Sequence, residues 1–262
     1  MSEYNSILLC SDLDGTLALQ KQISDNNVAA INKFMREGGL FTICTGRTHH
    51  YLSEILKKVT PNTFIISLNG AVIIDHKSGK CLYKGYLSDN YVEAVNRIVK
   101  YIDYLDVILI YYDEVTMPEE ISPKDYLLGK TSFDKSRKVH KIVSVFTDEY
   151  MAEKAQTDVS LEFQETFECV RSWPTGLELL DINSTKGNAV KRLKEYTKAN
   201  TLICAGDYEN DISMIKAADI GYAVSGGSPK LIAAADRISV PFAQDAIASI
   251  IDEIKVLPQI RF

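Results

Sequence analysis

Three short apolar runs in this 262-residue chain each stop abruptly at a polar cluster. Ile7-Leu8-Leu9-Cys10 runs into Ser11-Asp12-Leu13-Asp14-Gly15-Thr16, and Leu40-Phe41-Thr42-Ile43-Cys44 into Thr45-Gly46-Arg47. Thr201-Leu202-Ile203-Cys204-Ala205 ends in the same way at Gly206-Asp207. Runs this short and this apolar read as strands buried on both faces, which is the pattern of a parallel sheet covered by helices. The intervening segments carry helical spacing. Val28, Ile31, Phe34 and Met35 share one face of a helix over residues 25–37, which Gly38-Gly39 closes. Phe64-Ile65-Ile66-Ser67 adds a strand ahead of the Asn69-Gly70 turn. Towards the C-terminus the rhythm returns, with helices over 187–199, 212–218, 229–235 and 246–256 and strands over 201–205, 220–224 and 238–240. The expected class is α/β.

The middle of the chain departs from this rhythm. It holds a helix over 90–101, strands over 107–112, 142–146 and 167–170, and a polar stretch over 114–137. Residues 87–175 are therefore read as a second domain inserted into the first, which comprises 1–86 and 176–262.

Composition narrows the function. A net charge of -6 argues against a nucleic-acid backbone as partner, yet a few local cations suffice for a small anion. The five cysteines are scattered and lack any C-x-x-C spacing, so buried thiols in a reducing cytoplasm are expected rather than zinc or disulfides. No run approaches the roughly 20 apolar residues of a membrane span, and the N-terminus lacks a signal-peptide pattern. A soluble cytoplasmic protein is expected. No G-x-x-x-x-G-K-[ST] or G-x-G-x-x-G is present, which argues against a P-loop or a dinucleotide site.

The polar clusters suit phosphate-ester cleavage. In open α/β sheets ligands bind beyond the carboxyl ends of the strands, where three of the four clusters fall. The fourth, Lys186, stands at a helix start, where backbone N–H groups favour anions. Of Asp12 and Asp14, one carboxylate can attack phosphorus, and the other can protonate the leaving oxygen and then activate water. Carboxylates around a phosphate require a divalent cation, and an all-oxygen donor set suits Mg²⁺. Asp207 and Asp211, beside Asn210, add hard oxygen ligands. The Thr45 hydroxyl and Gly46 amide can bind phosphate oxygens, while Lys186 neutralises charge developing in transfer. Each cluster alone has an ordinary reading as a helix cap or solvated turn. Their occurrence together, in order, is what favours chemistry.

Asp12-Leu13-Asp14-Gly15-Thr16, Thr45-Gly46-Arg47, Lys186-Gly187-Asn188-Ala189 and Gly206-Asp207-Tyr208-Glu209-Asn210-Asp211 resemble, in that order, the four motifs of the haloacid dehalogenase-like (HAD) hydrolases. The resemblance is to the Cof-type phosphatases of subfamily IIB. Asn69-Gly70-Ala71, Glu178-Leu179 and Gly221-Tyr222-Ala223-Val224 also fit. It implies a Rossmann-like core with an inserted α/β cap that closes over a small phosphorylated metabolite. Asp12 would be the nucleophile, passing through an aspartyl-phosphate, and Asp14 the general acid/base. Asp12, the Asp14 carbonyl and Asp207 would hold Mg²⁺, with Asp211 in an outer position. Leu13, Thr45, Gly46, Lys186 and Asn210 would bind phosphate. Two departures stand out: Tyr208-Glu209 replaces smaller residues, and Asn183, able to adopt left-handed backbone, replaces a glycine. A sugar or polyol phosphate is the expected substrate. A sugar phosphomutase and a non-catalytic phosphometabolite-binding module are the alternatives. Arg47 is read as supporting, His49-His50 as a surface pair at a helix start, and Trp173 as either an aromatic wall or packing.

Overall fold

The computed structural model describes residues 4–113 and 116–255. The chain divides into two compact units, one formed by residues up to Tyr83 together with those from Lys186, the other by Lys84–Thr185.

The first unit is built on a five-stranded parallel sheet of β1 (Ile7–Ser11), β2 (Leu40–Ile43), β11 (Thr201–Gly206), β12 (Ile220–Ser225) and β13 (Arg237–Pro241). Its strand order is β13-β12-β11-β1-β2, so the three strands that end in polar clusters lie side by side. Alternate residues of β1 enter opposite cores, as pleat geometry requires. Ile7 and Leu9 pack with Ile31 and Phe34 of α1 (Asp25–Arg36) and with Ile250 and Ile254 of α9 (Ala246–Ile254). Leu8 and Cys10 pack with Val190 and Leu193 of α6 (Lys186–Thr197) and Met214 of α7 (Ile212–Ala217). Full burial of each such side chain is worth about 1.5–3 kcal/mol, which explains why the runs contain no polar interruption. Ser24 caps α1 by accepting from the Asn27 amide. Beside the main sheet, β3 (Ile65–Ser67), β4 (Val72–Ile74) and β5 (Cys81–Lys84) form a small sheet, with β3 and β4 antiparallel. α2 (Ser53–Lys58) and α8 (Pro229–Ala234) complete this unit. The helix expected over 246–256 ends at Ile254, and Val256 lies outside the described residues.

The second unit is an antiparallel sheet in the order β7-β6-β8-β10-β9. Its strands are β6 (Leu105–Tyr112), β7 (Glu119–Ile121), β8 (Val139–Phe146), β9 (Phe167–Trp173) and β10 (Gly176–Asp181). One face packs on α3 (Tyr91–Ile98) and α5 (Glu149–Phe163), while α4 (Pro123–Leu127) is a short capped turn of helix. The boundaries differ from the expected 87 and 175. β10 pairs with both β8 and β9, so the inserted unit runs on to Thr185. Between β8 and β10, Lys141 and Glu178 form an ion pair at 2.5 Å, both buried. α5 is absent from the sequence expectation because two of its four buried residues are alanines, Ala152 and Ala155, which leave a faint apolar period. No helix among the described residues is long and apolar enough to cross a membrane.

Candidate active site

The sheet order brings the strand-end clusters together. The ladders run one or two residues past the strands: the Asp12 amide donates to Ala205 O at 2.9 Å, Cys44 to Ser11 O at 2.8 Å, and Thr45 to Ile66 O at 2.9 Å. These bonds hold Asp12 and Thr45 at the sheet edge. α6 begins at Lys186, whose side chain is buried. The absence of a side chain at Gly187 lets α6 close on α7, where its amide donates to Ser213 Oγ at 3.1 Å.

Lys186 Nζ lies 2.5 Å from Asp12 Oδ1 and 2.6 Å from Asp211 Oδ1. Asp211 Oδ2 accepts from the amides of Asp207 (3.0 Å) and Tyr208 (3.2 Å), so both its oxygens are engaged. Thr16 Oγ1 donates to Asp207 Oδ1 at 2.9 Å. Gly15 has φ +87, and a Cβ there would stand 2.5 Å from Asp207 Oδ2; both the left-handed backbone and the close approach call for glycine. Ligand atoms of Asp12, Asp207 and Asp211 all fall within 4.8 Å of one another. Asp14 is not in this cluster. Its half-exposed carboxylate takes a two-point contact from Arg47, Nε at 3.0 Å and NH2 at 3.4 Å.

The electrostatics follow from burial. Desolvation would push Lys186 down, but Asp12 and Asp211 hold it well above the usual lysine range, so it stays charged. Burial, then the Asp211 charge, raises Asp12 well above the ordinary carboxylate value, against the pull of Lys186. Burial and Asp211 push Asp207 up to about 7, with the Thr16 hydrogen bond opposing. Ionised together, three carboxylates would face one ammonium with two negative charges in excess, which with burial is why Asp12 and Asp207 hold their protons more tightly than free acids do. A hard divalent cation fits both that excess and the all-oxygen donor set.

Around this cluster lie the phosphate-binding candidates. The Leu13 side chain is buried, and its backbone N–H has no acceptor among the described residues. Thr45 Oγ1 accepts from the Arg47 amide at 3.1 Å, which leaves the hydroxyl proton to be donated elsewhere. Asn210 is buried, and its Nδ2 donates to Asn69 Oδ1 at 3.2 Å. A Cβ on Gly46 would approach that same Asn69 oxygen to 3.1 Å. Sequence reasoning quoted Asn69 and Thr16 within motifs but gave neither a role at the site. The glycine after Asn69 marks a turn, and nothing local shows that its side chain reaches Asn210.

Other residues of interest fall into place. His49 and His50 sit on a 3-10 turn, His49–Leu52, with ring centroids 3.9 Å apart. The Trp173 ring covers Gly176 across the β9–β10 turn, which is packing within the second unit. Glu209 pairs with Lys230 at 3.1 Å, a surface contact that turns the larger Tyr208-Glu209 pair to local use. Asn183, at the place of the family's glycine, does not use the left-handed backbone open to it, and its amide donates to Asp181 Oδ1 in a turn.

Residues 9–251 match the profile of the haloacid dehalogenase-like hydrolases, which spans nearly the whole described chain. The chain belongs to this family. It is 27% identical to 5-amino-6-(5-phospho-D-ribitylamino)uracil phosphatase YcsE of Bacillus subtilis, over 93% of this chain and 94% of that one. Over 94% of its length it is also 27% identical to a chloroplastic endoribonuclease, YBEY, of Arabidopsis thaliana, of which it spans 46%. Among solved structures, the HAD subclass IIB sugar phosphatase BT4131 superposes with a TM-score of 0.78 at 21% identity, covering 95% of this chain and 99% of that one. The fold is that of a subclass IIB HAD protein, and the chain is a HAD-type phosphoric monoester hydrolase.

Proposed function

We propose that the chain is a Mg²⁺-dependent phosphatase of a small polyol or sugar phosphate, working through an aspartyl-phosphate on Asp12. The observation that carries this reading is the arrangement at Asp12. A buried carboxylate at a strand end is held by a charged lysine, with two further carboxylates beside it. Asp12 attacks phosphorus and the ester oxygen leaves with a proton from Asp14. Asp14 then takes a proton from water, which attacks the acyl phosphate and frees Asp12 and orthophosphate. The half-exposed position of Asp14 favours proton exchange with solvent between the two steps. Lys186 bonds one Asp12 oxygen, orienting the other for attack, and balances charge as the phosphoryl group transfers. Thr45, Gly46, Asn210 and the Leu13 amide supply donors for the phosphate oxygens. Asp12, Asp207 and the Asp14 carbonyl would hold the Mg²⁺, with Asp211, already saturated, outside them; the ion supplies neutralisation of phosphate charge.

The leaving-group class rests on the relative named for a phosphorylated ribityl substrate, a polyol ester. Leaving-group selection belongs to the Lys84–Thr185 unit, whose residues include none of the four motifs. Exchanging that unit for its counterpart in a related phosphatase is expected to reorder substrates while Mg²⁺ dependence persists. A chimera that folds and keeps the original ranking contradicts this assignment. Five free cysteines suit a cytoplasmic setting. The direct test is phosphate release from sugar and polyol phosphates, with Mg²⁺ and with chelator. Isomerised phosphate ester in place of free phosphate would make it a mutase.

The raised Asp207 gives a signed prediction for the metal. Its ordinary value of 3.8 applies unfolded, and about 7 applies folded. The folded protein therefore holds this proton more tightly, so its stabilisation is present below pH 3.8 and is lost as pH rises through about 7. In chelator, the contribution of Asp207 lowers the unfolding midpoint across that window, and Mg²⁺ restores it most above pH 7. An equal Mg²⁺ shift at pH 5 and pH 8 would count against a metal on Asp207.

A further inference from the structure

We propose that Asn69 is a positioning residue, which orients the Asn210 side-chain amide towards the phosphate. Asn210 Nδ2 donates to Asn69 Oδ1 at 3.2 Å, joining loops that lie far apart in sequence. An amide is planar and its nitrogen carries two N–H groups, so fixing one fixes the direction of the other. The remaining N–H is the donor that the phosphate site uses.

Asn69 is itself held in place. Its amide donates to Thr45 O at 2.9 Å, and the preceding Leu68 amide donates to Arg47 O at 3.0 Å. The Thr45-Gly46-Arg47 loop thus anchors the turn at both residues. Gly46 leaves room for the Asn69 side chain, since a Cβ would stand 3.1 Å from its Oδ1 and 3.3 Å from its Nδ2. The backbone is held in an uncommon conformation here: φ is 51° at Leu68, 55° at Asn69 and 103° at Gly70. Left-handed backbone at a bulky residue such as Leu68 persists only where its surroundings impose it. The Asn69 side chain is 1% exposed and faces Asn210.

The inference rests on the phosphate-binding reading of Asn210, and a double-mutant cycle tests it. N69G keeps the left-handed backbone at no steric cost and removes the side chain, with it the Oδ1 that accepts from Asn210. With p-nitrophenyl phosphate as substrate, N69G is expected to lower kcat about tenfold, the scale of lost orienting contacts elsewhere, with a smaller change in KM. N210A is expected to lose at least as much, and the N69G/N210A protein no more than N210A alone. The same cycle is read in orthophosphate affinity by titration, which needs no turnover. Failure of the phosphatase reading itself appears in the unaltered protein, as no phosphate release, and leaves the orthophosphate cycle to decide. Unchanged kcat and unchanged orthophosphate affinity in N69G overturn the proposal. So do losses that multiply in the double variant, because Asn69 then acts independently of Asn210.

Discussion

Asp12→Asn is expected to abolish phosphate release, with a loss on the order of 10⁴-fold or more, as when other catalytic nucleophiles are removed. Asparagine matches aspartate in shape, so the strand-end bond from residue 12 to Ala205 and the packing around it should persist. What disappears is the anionic oxygen that would attack phosphorus. The substitution also removes one of three clustered carboxylates, two of whose charges Lys186 does not balance. The unfolding midpoint in chelator should therefore hold or rise while activity is lost. Two measurements check this: phosphate release, and intact-protein mass after rapid quench with substrate. The unaltered chain should gain one phosphoryl group and the variant none. Near-normal turnover by Asp12→Asn would end the aspartyl-phosphate mechanism.

Lys186→Met is expected to damage both activity and fold. Methionine fills much of the same volume but leaves Asp12 and Asp211 buried without their cation. Breaking a buried pair from one side typically costs about 3–5 kcal/mol, which here corresponds to a drop on the order of 10 °C in midpoint. For turnover, losing one donor to the transferring group typically lowers kcat by about 10²–10³. The stability loss should be smallest at low pH, where the abandoned carboxylates are protonated, since both effects follow from their charge. A variant with the midpoint of the unaltered protein at pH 7 would show that the lysine does not carry this balance. A change confined to KM would make Lys186 a ground-state binder only.

Much of the first unit is legible in the order of its amino acids. Strands whose both faces are buried leave unbroken apolar runs, and β1, β2 and β11 each end within one residue of the expected position. The parallel sheet then dictates that Asp12, Thr45 and Asp207 lie near one another. Contacts made by side chains from distant loops leave no such trace. The Asn69–Asn210 bond and the Thr16–Asp207 bond have no local pattern, because neither alters periodicity or composition. The Arg47–Asp14 pair is hidden for the same reason, although each residue stands in a recognisable motif of its own. In the second unit the failures are of period. β10 alternates poorly because residues 176–180 are all buried, and α5 buries small alanines. Both elements need their neighbours to be recognised.

The interruption of the first unit by the second has a consequence for how the site comes into being. β1 is made before the Lys84–Thr185 segment, and one of its two sheet partners, β11, only after it. Among the described residues β6 to β10 pair with one another, so that sheet can fold while β1 still lacks one side of its ladder. Closing the β1–β11 ladder joins residues 194 apart in sequence, the kind of contact that slows folding most. Asp12 and Lys186 therefore meet only after that segment has been made. Until then Asp12 is an ordinary solvated acid, and the charge cluster exists only in molecules whose synthesis has passed β11.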